Sequence, residues 1–347
     1  MRGLWRWIKR ALIAVVLLVL LLLTPIGYTE LACRPTGQVS DYVPILSPEY
    51  RRDEARTLLT YPEWHIVHAY EEYSEVIRTG DPDDFAYLRS IMGFWSSLCT
   101  LSETAGAHGG FSGEMKTMIY TIGASFSAEL LAKAAYEETI GRVFTWMRGP
   151  NPAPLDEVSA RQARSYAQFL RQVPWYRWDF AADRAALNDA ATGALRDRER
   201  RIALGLEYGL KSQYAKVIGA AVANMKPDAL RLRMIVQGDA AKLATLPEVT
   251  VIGETKHGIE LETPRYRKLT ALMAQMAEQG TNFVEIAGND QILFTALSDG
   301  PTQALHSFRR QGFGDMRHLI LVDVADLADR LRQLDEQGLT LEHIHDY

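Results

Sequence analysis

The first 33 residues constrain this chain more than any other segment, because they contain an apolar run of membrane-spanning length. No charged residue occurs in the 19 positions from 11 to 29. As an α-helix this run would be about 28 Å long, close to the hydrocarbon thickness of a bilayer. Two tryptophans of the kind found at membrane interfaces precede it, together with four cations: Arg2, Arg6, Lys9 and Arg10. The pattern predicts one transmembrane helix within residues 1–33 that contacts the membrane through residues 11–29.

The residues that flank the run favour an uncleaved signal-anchor over a removable signal peptide. Cleavage requires small residues at two spaced positions, and cutting after Ala32 would place Glu30 at the outer one. A lipoprotein-type cleavage site before Cys33 is also disfavoured, because Glu30 lies where that motif requires an apolar residue. Cations on the N-terminal side favour a cytoplasmic N-terminus. In a bacterium, we expect a single-pass inner-membrane protein with most of its residues in the periplasm.

Charge and motif content exclude several classes of function for the rest of the chain. The whole chain has a net charge of −5, and residues 34–347 alone carry about −8, so a nucleic-acid partner is not expected. The sequence contains no Walker A loop, no complete Gly-x-Gly-x-x-Gly, no Cys-x-x-Cys and no His-Glu-x-x-His. The sequence therefore does not favour nucleotide-dependent, haem or common zinc-protease chemistry. We expect the partner to be another protein.

Patterning predicts an α+β chain in four parts. Residues 1–33 form the anchor, and the proline-containing segment 34–49 reads as an extended stalk. Residues 50–226 form a mainly α-helical domain whose first helix begins at a Thr60-Tyr61-Pro62-Glu63 capping box and runs to Gly80. Residues 227–347 alternate β-rich runs with two helices in the order strand, helix, hairpin, helix, strand. That order predicts one ferredoxin-like α+β domain.

The only two cysteines are a candidate disulfide. Cys33 lies at the end of the predicted anchor and Cys99 in a predicted helix, and an oxidising compartment would allow them to pair. The bond would close a loop of 65 intervening residues and remove roughly 3–4.5 kcal/mol of chain entropy. Two unpaired thiols, one of them in a core, are the alternative, because sequence does not report the separation of the two Cα atoms.

One helical face carries the sharpest polar pattern in the chain. His65, His68 and Glu72 share a stripe with Glu75 on the first helix after the stalk. Two imidazoles and a carboxylate can bind zinc or another divalent ion with a position left for water, and Glu75 would then be the candidate catalytic base. The alternative, which we favour, is an ordinary polar face on which His68 and Glu72 pair at i,i+4.

Three further motifs have both a functional and a structural interpretation. The loop His108-Gly109-Gly110-Phe111 resembles an oxyanion-hole loop but lacks a nucleophile elbow, so a flexible connection is favoured. His343 and His345 share one face of the last predicted strand and could bind metal, although a polar outer face of an edge strand is favoured. The interleaved charges of residues 196–201 indicate a salt-bridged helix surface and not a nucleic-acid-binding patch.

Four rings lie within the seven residues 174–180, which gives the chain a candidate partner-binding segment. Its proposed contacts are Trp175, Tyr176, Arg177 and Trp178, because Trp, Tyr and Arg dominate binding hot spots. The alternative is that these rings cover the helical core, which the area that each ring buries favours.

Together these features favour a non-enzymatic accessory, assembly or scaffold protein of the bacterial envelope, although an enzyme is not excluded. One alternative is a metal-dependent hydrolase that uses the His/Glu face, and a divalent ion is the only cofactor considered. The other is a carrier of an apolar ligand, held between long helices near the small residues Gly123 and Ser125.

Overall fold

The computed structural model describes residues 2–37, 40–171, 173–222 and 230–347. Its first element, helix α1, spans Arg2–Ala32 and coincides with the segment that we predict to be an anchor. Among the described residues, no helix meets the combined requirement of length and apolarity for crossing a membrane.

The middle of the chain is helical, as the patterning predicts. The helices are α2 Arg56–Thr79, α3 Tyr87–Thr104, α4 Gly113–Tyr136, α5 Arg142–Arg148, α6 Pro154–Leu170, α7 Phe180–Ala190 and α8 Leu195–Val222. The segment 114–147 lacks proline and is predicted to form one long or kinked helix, and a π-helical turn, Glu137–Gly141, joins α4 to α5 within it. The composition shift predicted after Met225 falls outside the described residues.

Helix α2 begins four residues before the predicted capping box, and the prediction of its start is wrong. Pro62 lies inside the helix, and the first turn is held by the C-terminal sheet instead of by a local cap. The Thr57 hydroxyl donates to the His345 carbonyl at 2.6 Å and accepts from the Leu293 amide at 3.1 Å. Because these partners come from the far end of the chain, no local signal marks the start of α2.

The C-terminal part contains two four-stranded antiparallel sheets where one domain with a single sheet is predicted. The first consists of β1 Arg231–Gln237, β2 Thr250–Thr255, β3 Gly258–Pro264 and β4 Asn282–Ile286, in the order β2-β3-β1-β4. The second consists of β5 Gln291–Ser298, β6 His306–Arg309, β7 Met316–Asp323 and β8 Thr340–His345, in the order β6-β7-β5-β8. Each sheet thus has its second, third, first and fourth strands side by side.

The two sheets and their helices enclose a common apolar core. The helices are α9 Ala240–Leu243, α10 Arg267–Glu278 and α11 Val324–Arg332. Helix α11 follows β7 in the chain but packs mainly against β4 of the other sheet. Met234 and Phe283 of the first sheet belong to the same buried cluster as Phe294 and Ile344 of the second. The two sheets therefore form one packed unit.

The predicted stalk is extended but does not stand free of the protein. The Thr36 amide donates to the Glu103 carbonyl at 2.9 Å, and further along the Leu46 amide donates to the Glu285 carboxylate at 2.8 Å. Glu285 is fully buried and also accepts from the Tyr42 hydroxyl. Hydrogen bonds thus fasten the described part of segment 34–49 to the end of α3 and to the first sheet.

A disulfide joins the end of α1 to α3. Cys33 and Cys99 are bonded, with their Cα atoms 5.0 Å apart, a separation within the usual range for a disulfide. By the loop-length relation the bond contributes about 4 kcal/mol. It fixes the end of α1 against the helical part.

Candidate functional site

Helix α2 carries the polar face that the sequence singles out, and this face is buried against the second sheet. His65, His68 and Glu72 are 6%, 3% and 6% exposed. Trp64 of the same helix also packs on the sheet, with its ring centroid 3.7 Å from that of His343. The face is therefore an interface within the molecule and not a solvated surface.

The structure does not bring the three predicted metal ligands to one point. His65 Nε2 lies 2.9 Å from the Ser90 carbonyl oxygen. The Glu72 carboxylate accepts hydrogen bonds from Arg317 Nη1 at 3.0 Å and from the backbone N–H of Gln311 at 3.1 Å. Two of the three groups are thus committed to other partners. The favoured pair of His68 with Glu72 does not form either, because Glu72 turns to Arg317.

Glu75, the predicted catalytic base, lies one turn further on and is engaged in ion pairs. Its carboxylate contacts Arg78 and accepts from Arg164 Nη2 at 3.2 Å. The hydrogen bond from Arg78 lowers the pKa of Glu75. A carboxylate stabilised in its charged form by two cations is a poor general base, because such bases need a pKa close to the working pH.

His68 has carboxylates on two sides and hydrogen bonds to neither. Its Nδ1 lies 3.8 Å from Glu71 Oε2 and 3.7 Å from Glu342 Oε1. Both ring nitrogens of His68 and the Oε2 atom of Glu71 are buried without a hydrogen-bond partner. Buried polar atoms are normally satisfied, so this group is the most unusual one on the face.

Arginines neutralise the carboxylates of this interface. The Arg317 side chain is fully buried and donates to both oxygens of Glu342, at 2.6 and 2.7 Å, as well as to Glu72. Burial alone would raise the pKa of Glu342, but Arg317 overcomes this effect and holds it far below its usual value. Arg171 pairs with Glu71, and Arg310 lies 4.0 Å from it.

The histidines of the interface are neutral at physiological pH. Burial lowers the pKa of His65 and of His343 to about 3, and it also lowers the pKa of His68, with Arg317 adding to the effect. Neutral imidazole is the form that can accept a hydrogen bond or bind a metal.

The expectation that His343 and His345 line a polar outer face is wrong. Strand β8 is indeed an edge strand, but the two residues are only 3% and 0% exposed because α2 covers them. Their rings are 4.9 Å apart and share one face, with Trp64 and Tyr61 packed against it. The Thr270 hydroxyl lies 3.1 Å from His343 Nδ1, whereas neither ring nitrogen of His345 has a partner.

The His108 loop contributes to a second polar cluster. Gly109 and Gly110 have φ angles of 82° and 78°, which glycine adopts without strain. His108 Nδ1 lies 3.2 Å from Glu54 Oε1, and the Glu54 carboxylate also interacts with that of Asp290. Burial and the contact with Glu54 raise the pKa of Asp290 to about 6. The loop therefore lies beside a partly buried carboxyl pair, and we find no nucleophile beside it in the described part of the chain.

The aromatic segment predicted to bind a partner lies mostly against the helical core. Trp175, Tyr176 and Trp178 are half-buried and pack with residues of α6, α7 and α8. The Trp178 indole donates to Asp183 Oδ2 at 2.6 Å, and Arg177 alone of the four is exposed. This arrangement matches the alternative in which the rings cover the core.

The charges of residues 196–201 form a network, but the prediction that they lie on the surface is wrong for four of them. Arg196, Asp197, Glu199 and Arg200 are each 6% exposed or less. Arg200 donates to both oxygens of Glu137 at 2.9 Å and also to Glu199.

The small residues of α4 leave no room for a ligand. A Cβ atom added at Gly123 would lie 2.4 Å from the Phe94 ring, so the glycine permits close helix packing. Ser125 is exposed. A cavity further along, between α2, α6, α7 and α8, encloses about 30 Å³, enough for about two water molecules. Neither place accommodates an apolar ligand of lipid size.

Comparison with known proteins adds no functional assignment. No model of a known protein family matches this chain, and neither does a characterised protein or a solved structure.

The sequence predicts the helix face on which His68 lies, but not all of the charged groups around His68. Glu71 lies three residues after His68, a helical neighbour position, so it could have been included among the candidate metal ligands. Arg317 and Glu342 come from β7 and β8, and no spacing rule connects them to α2. A buried arginine has no local signature in sequence.

Proposed function

We propose that this chain is a single-pass, membrane-anchored accessory or scaffold protein of the bacterial envelope. Its N-terminus would lie in the cytoplasm, its bulk in the periplasm, and a helix of another envelope protein would bind to α8. The anchor rests on the sequence of residues 11–29. In support, large apolar side chains of α1 are at least half exposed: Leu12, Ile13, Val16, Leu17, Leu20, Leu21 and Leu23.

The observation that carries the partner surface is an exposed apolar stripe along α8. Ile202, Leu206, Leu210 and Val217 are between 62% and 74% exposed. Intervals of four, four and seven residues place them on one side of the helix. Exposed apolar patches of this kind mark interaction sites. Nearby on α5, which contacts α8, Trp146 is 81% exposed.

The spacing of the stripe favours a helix as the occupant. Residues three and four apart form the ridges that pack into the grooves of a neighbouring helix. The four stripe residues recur at 202, 206, 210 and 217 on a helix of 28 residues, which gives several consecutive turns of contact. We therefore expect one apolar helix of a membrane or periplasmic protein to lie along α8.

A charge placed in the stripe tests this interface. The full chain would carry a photo-crosslinking residue in place of Leu206, with and without Leu210→Asp. Arg201→Asp is the control, because Arg201 is exposed on the same helix but lies on a different side from the stripe. We expect one crosslinked partner with the parent chain and with Arg201→Asp, and its loss with Leu210→Asp. Crosslinks that persist in Leu210→Asp would overturn the interface.

Two other outcomes would also decide against the proposal. A crosslinked species of twice the chain mass would show that a second copy of this chain, and not another protein, binds to α8. Release of the full chain from membranes by alkaline carbonate would show that residues 11–29 do not anchor it in the bilayer.

The proposed fold assignment is finer than the α+β class. We infer that each sheet is a ferredoxin-like unit, because both have the strand order second, third, first, fourth. The second unit lacks the helix between its first two strands, where residues 299–305 form a connection without helix. The hydrolase and carrier alternatives receive no comparable support from the geometry.

A further inference from the structure

We propose that His68, Glu71 and Glu342 form a binding site for a divalent cation of the zinc type. The proposal does not depend on the membrane anchor or on the α8 interface. It differs from the metal site expected from the sequence, because only His68 is common to both.

The distances between the three ligand atoms suit a metal ion. His68 Nδ1 is 3.8 Å from Glu71 Oε2 and 3.7 Å from Glu342 Oε1, and the three ligand atoms lie within 4.8 Å of one another. In a tetrahedral zinc site with bonds of about 2.0–2.1 Å, ligand atoms are about 3.3–3.4 Å apart. The two distances to His68 exceed this spacing by about 0.3–0.5 Å, and the two carboxylate oxygens would have to approach each other by up to about 1.4 Å to close the site around an ion.

The unpartnered atoms point to a missing ligand instead of a packing accident. The His68 side chain is 4% exposed, and both of its ring nitrogens lack a hydrogen-bond partner, as does Glu71 Oε2. Leaving such groups desolvated and unpaired costs about 1–3 kcal/mol each. An ion bound by Nδ1 and Oε2 would satisfy two of these three atoms directly.

The protonation states of the three residues are those that metal binding requires. Burial lowers the pKa of His68, so its imidazole is neutral. Burial opposes ionisation of Glu71, but contacts with His68 and Arg171 keep its pKa below the usual value. Glu342 is held ionised by Arg317. Imidazole nitrogen and carboxylate oxygen are both zinc ligands, and three protein ligands leave a fourth position available to water.

The surrounding arginines limit the affinity. Three carboxylates, of Glu71, Glu72 and Glu342, face three guanidinium groups, of Arg171, Arg310 and Arg317. A cation therefore enters a region without net negative charge. Arg171 contacts the other oxygen of Glu71 and leaves Oε2 free, whereas Glu342 Oε1 already accepts from Arg317. We expect micromolar rather than nanomolar binding.

The bound ion would join two parts of the fold. His68 and Glu71 belong to α2, and Glu342 belongs to β8. Because a ligand that binds only the folded state stabilises it, zinc should raise the thermal unfolding midpoint of the whole chain.

Zinc titration of the tag-free full chain in detergent tests the site. The chain is first treated with a chelator, and bound zinc is then measured by equilibrium dialysis with elemental analysis. We expect one zinc per chain, and at least about tenfold weaker binding in His68→Ala and in Glu71→Gln, since losing even an outer-shell partner costs about 10–100-fold. Glu75→Gln is the matched control, because Glu75 lies on the same helix but outside the three ligands. Cobalt should give the intense visible absorption of a four-coordinate site.

Each result decides the matter. Zinc binding and a raised midpoint in the parent chain and in Glu75→Gln, both lost in His68→Ala and in Glu71→Gln, would support the site. No binding at about 100 µM zinc, or equal binding by all four proteins, would overturn it. If His68→Ala does not fold, as judged by circular dichroism, the partly exposed Glu71→Gln variant alone gives the answer.

Discussion

The helical part and the sheet part of this molecule combine apolar packing and buried charge in different proportions. The sheets surround a continuous apolar cluster drawn from seven of their eight strands and from their helices. The helical part buries ion pairs, and those of Glu199 with Arg200 and with Arg196 are among the most enclosed. Burial opposes ionisation of Glu207, yet Lys133 and Lys211 lower its pKa to about 2. The helices also pack around apolar clusters, and the sheet part also buries the pair of Arg265 with Asp346. The two parts therefore differ in how much of their interior depends on matched charges.

This difference predicts where a single substitution is most damaging. An apolar core loses transfer and packing energy in proportion to the atoms removed. A buried ion pair contributes little when intact, but removing one partner leaves a desolvated charge. The helical part should therefore be the more sensitive to loss of one side chain.

Arg200→Ala is expected to have the largest effect. It would leave Glu137 and Glu199 buried without their main cation and lower the free energy of unfolding by about 3–5 kcal/mol. Urea unfolding followed by tryptophan fluorescence measures the change. Arg201→Ala is the control, because Arg201 is exposed on the same helix and should change stability by no more than about 0.5 kcal/mol. Equal effects of the two substitutions would contradict the contrast between the two parts.

Ile286→Val is expected to have a smaller effect in the sheet part. Ile286 is fully buried in the apolar cluster, and deleting one methylene from such a site costs about 0.5–1.5 kcal/mol. The cost should not change with salt or between pH 5 and 9, because no ionisable group is involved. Ile252→Val, at an exposed strand position, serves as the control. A cost that varied with pH would show that charges also govern this part.

Asp290→Asn probes the carboxyl pair at the contact between the two parts. The pKa of Asp290 is raised to about 6, so the fold favours its neutral form, and the associated stability is lost as pH rises through 6. Asparagine stays neutral. The variant should therefore gain stability relative to the parent between pH 5 and 7, by about 1 kcal/mol because solvent screens this partly exposed group. Paired urea titrations across that range measure the gain, and a difference that stayed constant with pH would rule out Asp290 as its source.

The sequence was informative wherever structure depends on local patterning. The sequence predicts helix α10 at 266–278 and strands β1, β5 and β7 at 230–236, 291–296 and 318–322. All four bounds agree with the structure to within two residues, because the hydrophobic periodicity of these segments is regular. Strand β6 was missed, since its four residues are too few to show a pattern and depend on pairing with β7. The second sheet was missed for the same reason: strand pairing is a long-range property.

The candidate site was predictable only in part, again because of long-range contacts. His68 was selected from its helix face, and that face is indeed the buried one. Glu342 and Arg317 reach it from strands near the C-terminus. Desolvation of the face, which makes its histidines neutral, follows from the packing of α2 on β8 and is not encoded in the spacing of the histidines.

Glu75→Gln should produce the smallest effect and completes the comparison. Glu75 belongs to the same helix as the buried Glu72, but its partners Arg78 and Arg164 are about half exposed. Exposed ion pairs gain little because water screens them and their side chains lose freedom on pairing. We expect a loss of stability smaller than that of Ile286→Val, present at neutral pH, weakened by added salt, and absent once acid has protonated the carboxylate. A large loss that persists in high salt would mean that charge pairs stabilise this molecule at its surface as well as in its interior.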